Sequence, residues 1–238
     1  IDAAAAGLGR AGRVLVLVSP MLSCEDAFHL SRLAGALEGS VTFAVGPVPV
    51  SGEDQVFRDG FRLHAEKAPN ARGIRRVLGS TGGEVLECEA AMQRLSEFDG
   101  ILVTGNYPSD WVTEATAAAV PDGAFVLALD TLPNRLVERA DVLLPAATWL
   151  EKAGTFENAS NRLQAFDRAI DPIDFCKSEA QIAIDLLARI RGERPAAFNP
   201  AMTRQAMAAE QGLAEFLEVA TPSATKVHIE PDMELVEL

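Results

Sequence analysis

Two loops in the middle of the chain combine glycine, amide and carboxylate residues in positions that suit ligand binding. Gly105, Asn106 and Pro108 directly follow the apolar run 100–104, and Asp130 ends the apolar run that starts at 124. Glycine allows a ligand to approach the backbone closely, and a helix start beyond the first loop offers free amides to an anion. The Gly-Asn-x-Pro pattern is also ordinary turn chemistry, so local sequence leaves a ligand site and a simple turn both open.

A third segment, 147–166, gathers amide side chains around Arg162. The amides are those of Asn158, Asn161 and Gln164. A guanidinium surrounded by amides could hold a heterocycle or a phosphate. The same groups could instead satisfy backbone donors and acceptors in a buried irregular loop, and local sequence favours this second interpretation.

The hydrophobic pattern predicts the elements that must position these loops. Residues 13–19 form a short apolar run rich in valine, which predicts a buried strand. Ser23, with Asp26 three residues later, resembles a capping box that starts a helix, and Gly39 is expected to end that helix. Residues 41–45 predict a second strand. A strand, a helix and a second strand in succession favour a parallel sheet.

Strand-like and helix-like segments continue to alternate after a polar surface excursion at 46–69. Helices are predicted at 70–78, 87–97, 110–119, 178–190 and 203–218, and strands at 100–104, 124–129 and 142–144. Apolar strands that alternate with helices are typical of an α/β fold. We therefore expect a Rossmann-like parallel sheet with helices on both faces.

Composition and charge exclude several classes of protein. Hydrophobic residues make up 48% of the 238 residues and charged residues 23%, which is typical of a globular chain and not of a disordered one. No apolar run approaches about 20 residues, so no membrane insertion is expected. The net charge of −13 argues against nucleic acid as a partner. Three scattered cysteines exclude a four-thiolate cluster within this chain and favour a reducing, cytoplasmic compartment.

The segment 140–166 resembles the hallmark of the molybdopterin oxidoreductase superfamily. The pattern Ala-Asp-Val-x-Leu-Pro, then Glu, then Gly-Thr-Phe-x-Asn, then Arg-x-Gln is matched in order. The matching residues are Ala140, Asp141, Val142, Leu144, Pro145, Glu151, Gly154, Thr155, Phe156, Asn158, Arg162 and Gln164. The likeness extends more weakly over 13–191. Residues 66–73 look like part of the large iron–sulfur subunit (the 75 kDa type) of NADH:quinone oxidoreductase, complex I.

The resemblance implies a domain of the formate dehydrogenase/DMSO reductase type, which holds one molybdopterin guanine dinucleotide. Carried over by position, the candidate cofactor-binding residues are Gly105, Asn106, Pro108, Asp130 and Arg162. The loops after the two strands would face the guanosine end of that cofactor.

This chain departs from the family pattern beside the candidate arginine. Active members usually carry Glu-Gly before the arginine, whereas Ser160 and Asn161 stand here, and Tyr107 is inserted before Pro108. Loss of the glycine removes a point of close backbone approach. We therefore expect the Asn161 side chain to close the ancestral pocket.

These departures favour a structural module that binds no cofactor and has no catalytic residue or metal ligand of its own. The expected setting is a peripheral-arm subunit of NADH:quinone oxidoreductase in a respiratory chain. Other peripheral-arm subunits would be its partners, iron–sulfur clusters would be held only by upstream or partner segments, and the chain would lie at the cytoplasmic, inner face of the membrane. Two alternatives stay open: a cofactor-binding fragment of an active formate dehydrogenase-like enzyme, and a small nucleotide-binding protein.

The sequence predicts three parts. Residues 1–12 are expected to be a linker or the start of a fragment, 13–192 the α/β domain, and 193–238 a helix with an acidic tail. Residues 210–238 hold seven acids against Lys226 alone, a net charge of −6. Apolar residues are interspersed among these acids, so we expect the tail to pack on this domain or on a neighbouring subunit.

Overall fold

A six-stranded parallel sheet forms the centre of the molecule in the computed structural model, which describes residues 1–220. In chain order the strands are β1 (Arg13–Val18), β2 (Ser40–Val45), β3 (Gln55–Val56), β4 (Arg62–Leu63), β5 (Val85–Leu86), β6 (Gly100–Thr104), β7 (Phe125–Asp130), β8 (Val142–Pro145), β9 (Gly154–Glu157) and β10 (Leu163–Phe166). The sheet order is β5-β2-β1-β6-β7-β8, and every neighbouring pair is parallel. The chain builds outward from β1 to one edge and then from β6 to the other, which is the doubly wound Rossmann order.

Helices cover both faces of the sheet. They are α1 (Asp2–Arg10), α2 (Cys24–Ala34), α3 (Ala71–Gly79), α4 (Cys88–Gln93), α5 (Glu114–Ala118), α6 (Arg135–Glu138), α7 (Glu179–Arg191) and α8 (Pro200–Met207), with short 3-10 turns at Leu95–Glu97, Trp149–Glu151 and Ala214–Glu218. The predicted fold class, an α/β fold with a parallel sheet between two helical layers, is confirmed.

Two apolar cores explain why the central strands are apolar along their whole length. Val14, Val16 and Val18 of β1 pack into the core under α1, α2, α3 and α7, whereas Leu15 and Leu17 pack under α4 and α6 on the opposite face. Successive side chains of a strand point to opposite faces, so a strand buried on both sides reads as a continuous hydrophobic run.

Two antiparallel hairpins lie outside the sheet. β3 and β4 pair within the predicted excursion at 46–69 and leave most of it exposed, as expected. β9 pairs with β10 through 154–157 and 163–166, so the segment around Arg162 is the turn of a hairpin. The prediction of a buried irregular loop at this segment is wrong, because regular strand pairing already satisfies the backbone groups on both sides of the turn.

The first twelve residues are not a linker. Asp2–Arg10 form helix α1, in which Ala4 and Leu8 are fully buried against the sheet and α7. A stretch rich in alanine and glycine has a weak amphipathic pattern, so its composition carries little sign that this helix packs so closely.

Several predicted helices are shorter than the sequence indicates. α2 begins at the confirmed Ser23–Asp26 capping box but ends before Gly35, not at Gly39. α5 covers only part of 110–119, because Thr113 caps it at Glu114. The predicted helix 203–218 is divided into α8 and a 3-10 turn.

The described part of the acidic segment packs on the domain. Leu213 and Phe216 are buried in the core that contains α8. The rest of the tail prediction falls on 221–238, outside the described residues. No helix within 1–220 combines the length and apolar character needed to cross a bilayer.

Two glycines of α1 provide a matched test of its packing. A Cβ at Gly7 would lie 2.2 Å from the Phe125 ring, whereas a Cβ at Gly9 meets nothing within 4 Å. Gly7→Ala should therefore lower the free energy of unfolding by about 1–3 kcal/mol through overpacking. Gly9→Ala should raise it by up to about 1 kcal/mol through helix propensity. Urea unfolding of both variants measures this, and equal effects would show that α1 does not dock on β7.

Candidate functional site

A cleft of about 590 Å³ opens at the carboxyl edge of the sheet. Its lining comes from the loops after β1, β6, β7 and β8, from the segment before α3 and from β9. The lining residues are Met21, Pro69, Asn106, Tyr107, Pro108, Thr131, Leu132, Thr148, Trp149, Leu150 and Phe156. The chain reverses its winding direction between β1 and β6, and ligands of doubly wound sheets bind outside the strand ends at that point. The cleft therefore lies where a ligand of this fold would be expected.

Asp130 directs its carboxylate into the protein at this edge. Its Oδ1 accepts hydrogen bonds from the amides of Asn106 (2.9 Å) and Thr131 (2.7 Å). Its Oδ2 accepts from Asn134 Nδ2 (2.7 Å) and from Trp111 Nε1 (3.3 Å). With four donors already bound, the Asp130 carboxylate ties the loops after β6 and β7 together and has little capacity left for a ligand.

The Asp130 carboxylate leaves room only for glycine at position 105. A Cβ built on Gly105 would lie 1.9 Å from Asp130 Oδ2, so no side chain fits between the two loops. The close approach predicted for this glycine exists, but the group that approaches is a carboxylate of the protein itself.

Asn106 also uses its side chain internally. Its backbone adopts φ 70°, and its Nδ2 donates to the carbonyl of Ala147 (2.8 Å) and to Glu179 Oε1 (2.9 Å). Pro108 is exposed at the cleft wall. Of the five candidates, Gly105, Asn106, Pro108 and Asp130 are therefore brought together at one edge of the sheet.

Arg162 lies apart from the other four candidates. It is exposed in the β9–β10 turn and lines a separate depression with Glu215 and Glu218. Asn158 Oδ1 organises this turn by accepting from the amides of Ser160 (2.9 Å) and Arg162 (3.0 Å). Asn158, one of the amides considered for a ligand, thus stabilises a hairpin turn.

The prediction that Asn161 closes the pocket is wrong. Asn161 adopts φ 59°, is exposed, and accepts a hydrogen bond from Arg72 Nη1 at 2.8 Å. It is absent from the lining of the carboxyl-edge cleft, and that cleft is open.

A buried ion cluster that the sequence pattern did not predict lies beside the cleft. Lys152 Nζ lies 3.1 Å from Asp26 Oδ2 and also donates to Glu179 Oε2, and all three side chains are almost completely buried. Asp26 lies in the first turn of α2 and accepts from the amide of Ala180 in α7 at 2.9 Å. The cluster therefore joins the N-termini of α2 and α7 to the segment before β9.

The pKa shifts within this cluster have opposite signs. Burial alone would lower the pKa of Lys152, but the carboxylates of Asp26 and Glu179 outweigh it and raise that pKa. Burial would raise the pKa of Asp26, but Lys152 and the Ser23 hydroxyl outweigh it and lower that pKa. Burial, assisted by the Asp26 charge, raises the pKa of Glu179. Glu179 is therefore the carboxylate of the cluster that takes up a proton more readily than Asp26.

Further hallmark residues dock the β9–β10 hairpin on α2. Thr155 donates from its amide (2.7 Å) and its hydroxyl (2.8 Å) to the buried carboxylate of Glu25, which also binds Arg204 at 3.1 Å. A Cβ at Gly154 would lie 2.4 Å from Ser23 Cβ. The carboxylate of Glu151 accepts hydrogen bonds from the amides of Thr148 and Ile173. The hydrogen bond from the Thr148 amide is the main reason that the pKa of Glu151 is lowered. The Gly-Thr motif and its glutamate therefore have structural roles in this chain.

The cleft itself has an apolar surface with few free polar groups. The described residues that line it include no lysine or arginine. Tyr107 donates its hydroxyl to the Pro47 carbonyl at 2.8 Å, and Thr148 donates its hydroxyl to Glu151 at 2.9 Å. Within 1–220, no group of three or more His, Cys, Asp or Glu side chains is placed to hold a metal ion. This chemistry suits apolar groups better than anions.

The sheet order and the cleft at its switch point define a doubly wound, Rossmann-like α/β domain. The sequence profile of the molybdopterin oxidoreductase family matches residues 13–189. The chain belongs to the molybdopterin oxidoreductase family.

The similar proteins include a subunit of NADH-quinone oxidoreductase, a nitrate reductase and a formate dehydrogenase. The chain is 37% identical over 95 residues to the G subunit of NADH-quinone oxidoreductase of Streptomyces coelicolor, which covers 40% of this chain and 11% of that protein. It is 33% identical over 66 residues to nitrate reductase of Symbiobacterium thermophilum, or 28% of this chain and 9% of that protein. It is 27% identical over 127 residues to formate dehydrogenase H of Escherichia coli, or 52% of this chain and 18% of that protein. The matched segments thus span less than a fifth of each relative.

The residues present do not fit the dinucleotide cofactor that the family implies. A dinucleotide carries two linked phosphates, and a buried phosphate needs cationic or amide donors. The Asp130 carboxylate and the Asn106 side chain are occupied by protein groups, and Arg162 faces a different depression. No reaction step is therefore assigned to this cleft.

Removal of the buried cation tests the ion cluster. Lys152→Met leaves Asp26 and Glu179 buried without their partner and should lower the free energy of unfolding by about 3–5 kcal/mol. Lys177→Met is the matched control, since Lys177 is half exposed and its pair with Asp185 at 2.7 Å should contribute less than about 1 kcal/mol. Urea unfolding at neutral pH measures both. Equal losses in the two variants would contradict the assignment.

Proposed function

We propose that this chain is a structural module of a NADH-quinone oxidoreductase peripheral-arm subunit and that it binds no molybdopterin cofactor of its own. The proposal rests on one observation: the polar side chains at the carboxyl edge are already hydrogen-bonded to other groups of the protein. Asp130 and Asn106 use their side-chain hydrogen bonds on other protein groups. A ligand would have to break those bonds before it could form new ones.

The charge of the cleft supports the same proposal. Its described lining is apolar and contains no cation, while the chain carries a strong net negative charge. A diphosphate placed there would be desolvated without a compensating positive group, which is costly. An empty site leaves the sheet and its two cores unchanged, so the fold can persist without the ligand.

The setting of the module is supported by its relatives. The G subunits of NADH-quinone oxidoreductase from Streptomyces coelicolor and from Mycobacterium species are among the similar proteins. In such a setting the chain would transfer no electrons itself, and it would lie in the peripheral arm at the cytoplasmic face of the membrane. Its contribution would be to support neighbouring parts of the assembly.

One observation favours the alternative of a cofactor-binding fragment. The carboxyl-edge cleft is open and is not filled by side chains. Similar proteins also include a nitrate reductase and formate dehydrogenase H. Under this alternative, a second domain would have to supply the cations that the described lining lacks.

Cofactor content distinguishes the two functions. The chain is produced in a host that makes molybdopterin guanine dinucleotide, with an enzyme of known molybdopterin content from the same host as the positive control. Pterin is measured by fluorescence after acid oxidation and molybdenum by mass spectrometry. We expect background values for both in the purified chain, because the cleft offers the diphosphate no partner.

Thermal unfolding with GDP gives an independent readout for the guanosine half of the cofactor. A ligand present at about 100 times its Kd would stabilise the fold by about 2.7 kcal/mol, and we expect no shift in Tm at millimolar GDP. Arg162→Ala should then behave like Arg168→Ala, a second exposed arginine. Stoichiometric pterin, or a GDP shift lost only in Arg162→Ala, would contradict the proposal.

A further inference from the structure

Exposed apolar side chains continue from the cleft along the segment before α7. We call this set the apolar ridge; its members are Leu132, Trp149, Leu150, Ile170, Ile173 and Phe175, all exposed. The amides of Ala169 and Ile170 both donate to the Leu150 carbonyl, at 2.8 and 3.2 Å, which places this segment beside the cleft wall. The ridge is therefore continuous with the cleft.

Phe175 is the most prominent member of the ridge. Its side chain is 93% exposed, and its backbone adopts φ 69°. A bulky residue in the left-handed region carries backbone strain, and an aromatic ring left in water forgoes its burial energy. Both costs are understandable if the ring is buried by another molecule.

The ridge is held in a fixed shape. Glu151 closes a capping box with Thr148 and so fixes the turn that presents Trp149 and Leu150. The same carboxylate accepts from the Ile173 amide at 3.0 Å, and the Cys176 amide donates to the Ile173 carbonyl at 3.0 Å. Such preorganisation lowers the conformational cost of binding.

Acidic side chains flank the ridge. The segment also carries two cations, but each is paired: Arg168 with Asp171 at 3.0 Å and Lys177 with Asp185 at 2.7 Å. Asp167 and Asp174 are exposed and have no ion pair among the described residues. A second copy of this chain, with its own net charge of −13, would bring like charges together. A partner with lysine or arginine around an apolar centre would be attracted.

We infer that the apolar ridge and the adjoining cleft form one docking surface for a polypeptide partner that presents apolar side chains flanked by lysine or arginine. The inference rests on the proposed function, because a structural module acts through its contacts. Trp149 and Phe175 are the expected anchors, since large aromatic side chains dominate the binding energy of interfaces.

Peptide binding tests this surface on the full chain. The probe is a fluorescein-labelled Lys-Lys-Leu-Trp-Lys-Lys peptide, compared with Glu-Glu-Leu-Trp-Glu-Glu and Lys-Lys-Ser-Ser-Lys-Lys, and anisotropy reports binding. Phe175→Ser and Trp149→Ser should each weaken binding of the Lys-Lys-Leu-Trp-Lys-Lys peptide by about tenfold, because apolar surface is no longer buried. Phe61→Ser removes a comparably exposed aromatic from the β3–β4 hairpin and should leave binding unchanged. Added salt should weaken binding as well.

Several outcomes would overturn the inference. These are absence of binding, equal binding of the serine or glutamate peptide, and equal loss in Phe61→Ser. A dimer that dissociates in Phe175→Ser, seen by analytical ultracentrifugation, would assign the ridge to a second copy instead. Thermal unfolding checks that each variant is folded. A chain that passes the peptide test but carries stoichiometric pterin would defeat only the proposed function.

Discussion

A buried lysine between two carboxylates is the interaction on which the carboxyl edge of this domain depends. An isolated ion in the interior would be strongly destabilising, so the Lys152 ammonium requires both Asp26 and Glu179. Each carboxylate has a further bond that fixes an element, because Asp26 accepts from the start of α7 and Glu179 accepts from Asn106. The position of the loop after β6 is thereby coupled to the buried charge.

The family hallmark has an architectural role here. Gly154 allows the hairpin to lie against Ser23, Thr155 binds Glu25, and Asn158 organises the hairpin turn. Residues that resemble a cofactor motif can therefore persist because the fold needs them. Family membership and cofactor binding are separate properties of such a domain, because a sheet keeps its core while the chemistry of the residues at its edge changes.

The sheet could be predicted from the sequence because burial on both faces makes its strands continuously apolar. The Ser23–Asp26 cap was predictable too, since that signal is local. Helix α1 was missed because small residues give little periodicity. The burial of Lys152 could not be predicted, because lysine is usually exposed and its two partners are remote in sequence. Four of the five candidate cofactor-binding residues lie at one edge of the sheet and Arg162 does not. That Asp130 and Asn106 bond to other protein groups depends on side-chain directions, which spacing does not specify.

A double-mutant cycle between Asn106 and Glu179 tests most directly whether the candidate residues serve the fold. Asn106→Gly keeps the left-handed backbone accessible, and Glu179→Gln removes the charge that the amide contacts at 2.9 Å. We expect a coupling energy of about 1 kcal/mol or more in the free energy of unfolding. Additive effects, with a coupling below about 0.3 kcal/mol, would show instead that Asn106 is independent of the buried cluster and does not serve the fold through it.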